Sequence, residues 1–284
     1  MSSVEPVTPE LRKWILTQFS AGQPPEALLT SMRASGWSDV AARLALQKTL
    51  HIDLGVPAVV EKPPVLSAVP EPVVATGSLV LQAGDREVKV LTSVLKPRVL
   101  VFGGLLSHEE CDEMIELARQ RLVRSETVQT HTGSSEVNAA RTSDGMFFQR
   151  GEFELCRRIE ARMAALLRWP VENGEGLQVL RYASGTEYKP HYDYFDPDEP
   201  GTPTLLSRGG QRVASLIVYL ATPRRGGGTI FPDVGLDVAP VKGNAVFFSY
   251  DRPHPATLTL HGGAPVLEGE KWVATKWVRE RRFD

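Results

Sequence analysis

From Gly176 to Val278 the chain runs as short stretches rich in β-branched and aromatic residues: Leu177 to Tyr182, Val213 to Leu220, Thr229 to Pro232, Ala245 to Tyr250 and Trp272 to Val278. Gly, Pro and Asp separate them. Such residues suit a pleated, half-buried surface, and the breakers between them end one strand and turn the chain into the next. Many short strands close most readily into an antiparallel sandwich or barrel.

Helices are expected before this region. Val99 to Phe102 reads as a strand, after which Ser107-His108-Glu109-Glu110 has the form of a capping box, opening a helix with Cys111, Met114, Ile115 and Ala118 inward. A second helix is expected over Glu152 to Leu167, with Phe153, Cys156, Ile159, Met163 and Leu166 on one face. The fold class is therefore α+β, with a β core and helices packed on one side.

The first 50 residues differ. Thr8-Pro9 is a helix start, and Leu11, Trp14, Ile15 and Phe19 share a face at helical spacing. A second helix is expected from Pro25 to Ala34, stopped by Gly36, and Ser38 can cap a third containing Val40, Leu44 and Leu50. Pro57, Pro63, Pro64, Pro70 and Pro72 then favour extended backbone. The expected organisation is a three-helix module over 1–52, a Pro-rich linker over 53–80 and a main domain over 81–284.

With 284 residues, 42% hydrophobic and 23% charged, the chain has the composition of a soluble globular protein. A net charge of -2 provides no general field for phosphate backbones, so no nucleic-acid partner is expected. Arg279, Arg281 and Arg282 read as a solvated tail. Cys111 and Cys156 both fall within amphipathic helices and read as buried small apolar residues. No leader-like start and no membrane-length apolar run is evident, so a cytoplasmic location and no membrane partner are expected.

In Lys189-Pro190-His191-Tyr192-Asp193, the histidine and aspartate are two apart, so on an extended strand both side chains project from one face. They can offer an imidazole nitrogen and a carboxylate oxygen to one ion. A second histidine from another strand would complete a two-histidine, one-carboxylate face that leaves positions open for substrate and oxygen. Both His254, between two prolines, and His261, followed by Gly262-Gly263, are candidates, and spacing leaves both open.

From about Val99 onward the chain resembles a prolyl 4-hydroxylase of the 2-oxoglutarate oxygenase superfamily. The resemblance rests on Arg141-Thr142-Ser143, Leu177 to Tyr182, Tyr188 to Phe195, Arg212 to Leu220, Gly227 to Pro232, Lys242 to Phe248, Leu260 to Val266 and Gly269 to Trp277, in that order. It implies a double-stranded β-helix, or jelly-roll, core with supporting helices, beside which the N-terminal helical module stands as an addition. It implies His191, Asp193 and His261 as iron(II) ligands, with His254 outside the motif. Lys271, ten residues after the second histidine, is then the cation that binds 2-oxoglutarate, joined by Tyr182 on the same carboxylate and Thr229 in the same pocket. Tyr188, Arg212 and Trp277 match catalytic positions lining the site where the peptide sits.

The resemblance further implies a dioxygenase that converts 2-oxoglutarate and dioxygen to succinate and carbon dioxide while hydroxylating a C–H bond, with ascorbate as a candidate reductant. The expected substrate is a peptidyl residue, foremost proline at C4 in a proline-rich peptide or protein. Alternatives are another peptide residue, a free imino acid, or a catalytically silent binding protein. The oligomeric state is not legible in the sequence.

Overall fold

The computed structural model describes residues 9–35, 37, 39–50, 52, 54, 66–74, 78–125, 127–128, 135–136 and 142–284. Thr8, Gly36, Ser38, Pro57, Pro63, Pro64 and Arg141, which carry expectations given above, lie outside the described residues, as does the side chain of Val40. The chain divides into two compact units, 1–64 and 65–284.

The first unit contains helices Pro9–Ser20, Pro25–Ala34 and Asp39–Leu50. Ile15, Leu28, Leu29, Met32, Ala42, Ala45 and Leu46 form its core, with Leu11 and Trp37 packed against them. The face expected from periodicity is narrower than the sequence suggests. Trp14 and Phe19 flank Ile15 and remain exposed, because three short helices enclose only one row of side chains on the first.

In the second unit, nine antiparallel strands form one sheet in the spatial order Val80–Ala83, Arg86–Val94, Arg98–Gly103, Ala245–Ser249, Arg212–Ala221, Lys271–Arg279, Leu177–Tyr182, Asp144–Phe148 and Val123–Arg124. A smaller antiparallel sheet has the order Leu236–Val238, Thr229–Phe231, His261–Gly263 and Tyr188–His191. This is a mixed helix-and-sheet architecture dominated by antiparallel pairing.

The two faces of the large sheet meet different partners, and the alternation of side chains along each strand decides which. One face packs Leu100, Phe102, Leu216, Val218 and Ala274 against the helices His108–Arg119 and Glu154–Leu167. The other packs Val99, Tyr182, Tyr219, Val246 and Phe248 toward Phe231 and Val238 of the small sheet. The functional side chains belong to this second layer.

The helices form as expected, with one shift. Ser107 Oγ accepts from the Glu110 amide at 3.1 Å, and Glu110 Oε2 accepts from the Ser107 amide at 2.9 Å, so both halves of the capping box are present. Glu110 also pairs with Arg162 at 2.7 Å, which joins the two helices. Phe153, expected on the inner face, is instead the exposed residue preceding the helix at Glu154. Cys111 and Cys156 are buried and free.

Residues 66–74 of the Pro-rich stretch run without helix or strand, yet Pro70 and Pro72 are buried and Val69 and Val74 pack against the core of the second unit. No helix among the described residues is long and apolar enough to cross a membrane.

Candidate active site

A pocket opens between the two sheets, with a volume of about 430 Å³ including the space that opens to solvent. One strand lines its whole length: Lys271, Val273, Thr275 and Trp277 alternate along Lys271–Arg279 and all face inward. On the neighbouring strand Ser215, Ile217 and Tyr219 share a face at the same period.

At one end His191, Asp193 and His261 bring their donor atoms within 4.8 Å of one another. His191 and His261 are cross-strand partners in the small sheet, with ring centroids 4.4 Å apart. Asp193 lies beyond the strand, which ends at His191, so the pair does not share one extended strand as expected. A bend turns the carboxylate back instead. Arg212 donates to the Asp193 carbonyl at 3.3 Å, Ser215 donates to Oδ2 at 2.6 Å, and Tyr192 stacks on Tyr194 across the bend. His261 begins its strand, a few residues after the 3-10 turn Pro255–Thr257.

The donor set fits a divalent cation. Each histidine holds its Nδ1 against the carbonyl two residues earlier, Lys189 at 2.9 Å and Thr259 at 3.0 Å. A carbonyl only accepts, so Nδ1 carries the hydrogen and, in the neutral ring, Nε2 carries the lone pair. Both Nε2 atoms face Asp193, at 3.5 Å from Oδ1 and Oδ2 respectively. Burial lowers the His261 pKa to about 4, with Asp193 acting the other way. Burial opposes ionisation of Asp193, but the two imidazoles and Arg212 hold its carboxyl well below the usual range. Two lone pairs and a carboxylate thus converge, an arrangement that a bound cation relieves.

At the other end Lys271 is buried, and its Nζ has no hydrogen bond or ion pair among the described residues. It sits 5.4 Å from the Tyr182 ring and 5.7 Å from the Tyr219 ring. Burial pulls its pKa down to about 8, with Asp237 acting the other way. Tyr182 pairs with Lys271 across the sheet, and Thr229 accepts a 2.8 Å hydrogen bond from Tyr219, leaving its own hydroxyl hydrogen to donate into the pocket. A buried cation flanked by hydroxyls can hold an anion such as a carboxylate.

Between the ends, Tyr188 stacks on His191 with centroids 3.7 Å apart, and the Arg212 guanidinium lies 4.0 Å over the Trp277 ring. The Trp277 Nε1 is buried without a hydrogen-bond partner among the described residues.

The comparisons with known proteins agree with this geometry. A family model described as the 2OG-Fe(II) oxygenase superfamily matches residues 177–279. Prolyl 4-hydroxylase 2 of Arabidopsis thaliana is 39% identical over 212 residues, covering 66% of this chain and 69% of its own. Prolyl 4-hydroxylase 5 of the same plant is 40% identical over 221 residues, covering 70% and 74%. The chain belongs to the prolyl 4-hydroxylase family. Among solved structures, the viral collagen prolyl hydroxylase of Paramecium Bursaria Chlorella virus-1, in its 2OG complex, is 32% identical, covers 64% of this chain and 95% of its own, and has a TM-score of 0.49.

As a prolyl 4-hydroxylase family member, the protein is a dioxygenase that uses iron(II), 2-oxoglutarate and dioxygen. All nine residues singled out in the sequence for this activity line the pocket or adjoin it. His254 does not join them: it is exposed, and its Nδ1 accepts from the Ala256 amide at 3.0 Å. Arg279 departs from expectation, since it is buried and pairs with Glu175 at 2.7 Å rather than ending in solvent.

Four further residues shape the site of this prolyl 4-hydroxylase family member without any sequence signal beyond strand alternation: Glu175, Ser215, Tyr219 and Tyr250. Burial works against a charged Glu175, but Arg212 and Arg279 hold its carboxyl below the usual range. Its two oxygens meet the Arg212 fork at 2.7 and 2.9 Å, which fixes that guanidinium over Trp277.

Proposed function

We propose that this enzyme hydroxylates a prolyl residue of a peptide or protein at C4, with His191, Asp193 and His261 holding iron(II) and Lys271 holding 2-oxoglutarate. One observation carries the reading: a single pocket has three converging metal donors at one end and an unpartnered buried ammonium at the other. We take the two antiparallel sheets as the jelly-roll core of such oxygenases. The choice of prolyl substrate is supported by the relatives named prolyl 4-hydroxylases.

Iron(II), when bound, supplies the chemistry that couples decarboxylation of 2-oxoglutarate to oxidation of an unactivated C–H bond. The chain's residues arrange the reactants. Lys271, with Tyr182 and the Thr229 hydroxyl, binds the far carboxylate and so aims the 2-oxo acid end toward the histidines. Phe248 and Phe231 pack their rings 4.4 and 5.9 Å from His261, an apolar wall that excludes water on that side. Tyr188 and Trp277, with its free N–H, line the pocket, Arg212 lies over the Trp277 ring, and the three are assigned to the peptide.

The test is to incubate the full chain with iron(II), 2-oxoglutarate and ascorbate, with and without proline-rich peptides, unrelated peptides and free proline. Succinate release and gain of one oxygen atom on a prolyl residue, identified as 4-hydroxyproline, are expected for the proline-rich peptides alone. Turnover stimulated by none of the prolyl peptides overturns the substrate class. Turnover unchanged in His191→Ala overturns the metal site.

A further inference from the structure

Asp193 differs from the two histidines in offering two chemically equivalent oxygens, so its neighbours decide which of them faces a metal. Ser215 is fully buried in the Arg212–Ala221 strand, and its Oγ lies 2.6 Å from Asp193 Oδ2. An ionised carboxylate only accepts, so Ser215 is the donor. The same Oγ lies 3.1 Å from the Tyr250 hydroxyl. With its single hydrogen directed at Asp193, Ser215 can only accept there, and Tyr250 donates. The direction of both bonds is thereby determined, from Tyr250 to Ser215 to Asp193.

Both side chains stand on rigid backbone. Ser215 is in register with Phe248 on one side and Trp277 on the other, and the Tyr250 amide donates to the Val213 carbonyl at 3.0 Å. Each oxygen of Asp193 faces one imidazole at 3.5 Å, Oδ1 toward His191 Nε2 and Oδ2 toward His261 Nε2, but the hydroxyl hydrogen of Ser215 goes to Oδ2. One oxygen is held and the other is left to the ion.

Resting on the reading of His191, Asp193 and His261 as the ligands, we propose that Ser215 and Tyr250 are positioning residues that restrict Asp193 to one-oxygen ligation. Without them the carboxylate is free to rotate or to chelate through both oxygens, which closes a coordination position that the co-substrate or dioxygen needs.

Metal-free full-length protein, titrated anaerobically with Mn(II) and separately with Co(II), tests the idea without turnover. In Ser215→Ala the Mn(II) dissociation constant is expected to rise on the order of 10-fold, and the Co(II) absorption spectrum to change. Ser215→Thr restores both, and Tyr250→Phe produces a smaller change in the same direction. Wild-type affinity and spectrum in Ser215→Ala, while His191→Ala loses Mn(II), would overturn the positioning role alone. Mn(II) binding that survives His191→Ala overturns the ligand reading beneath it.

Discussion

His191 and His261 face each other across an antiparallel pair, and only glycine fits between their strands. A Cβ at Gly262 would stand 2.8 Å from the Tyr188 carbonyl oxygen and 3.1 Å from the Pro190 nitrogen, both backbone atoms that cannot swing aside. Gly262→Ala therefore pushes apart the strands that carry the two imidazoles. We expect a loss of about 1–3 kcal/mol in stability from the forced shift, measured by urea unfolding, together with weaker Mn(II) binding. A variant with wild-type values of both would show that the strands yield freely.

Co-substrate affinity should depend on pH through Lys271. Its pKa of about 8 means that below that pH the ammonium is already charged and ready for a carboxylate. Above it, binding an anion must also take up a proton, so 2-oxoglutarate affinity falls as pH rises, approaching tenfold per unit. Binding measured on the metal-loaded protein without dioxygen, across pH 8, reads this directly, and Lys271→Ala should remove both the affinity and the slope.

Thr229 is expected to contribute its hydroxyl hydrogen to the same carboxylate, since Tyr219 already occupies its oxygen as donor. Thr229→Val keeps the shape and loses the donor. A rise in the 2-oxoglutarate KM of about 10-fold is expected, from the strength of hydrogen bonds to charged groups, with kcat little changed. An equal fall in kcat would point to displaced histidines instead.

Acid stability should depend on Glu110. Burial raises its pKa, but Arg162, the Ser107 amide and Arg158 outweigh this and bring it from the usual 4.5 to about 2. The folded pKa is the lower one, so the unfolded chain binds more protons in that window and stability falls as pH drops from about 4.5 toward 2. Glu110→Gln should be less stable at neutral pH and show a flatter acid limb in urea unfolding.

The sequence made the strands and the donor types legible because alternation and the His-x-Asp spacing are local properties. Even so, spacing left His254 and His261 nearly level; resemblance to known oxygenases chose His261, and the structure pairs it with His191. The supports were not legible. Ser215, Tyr219 and Tyr250 read as ordinary strand residues, and their hydrogen bonds join positions 10 to 35 residues apart. Arg279 read as part of a basic tail because its partner, Glu175, is 104 residues away in sequence. Long-range pairing decides these roles, and no local pattern encodes it.

The strand from Lys271 to Trp277 runs the length of the pocket. Seven residues of extended chain span about 20 Å from first to last, with every second side chain facing the pocket. The anchor for one reactant and the wall for the other are thus marked on a single ruler, whose graduations are the pleats of the backbone. Inserting or deleting one residue within it would turn the remaining marks to the helix-covered face, so this segment tolerates exchange of side chains but not a change of length.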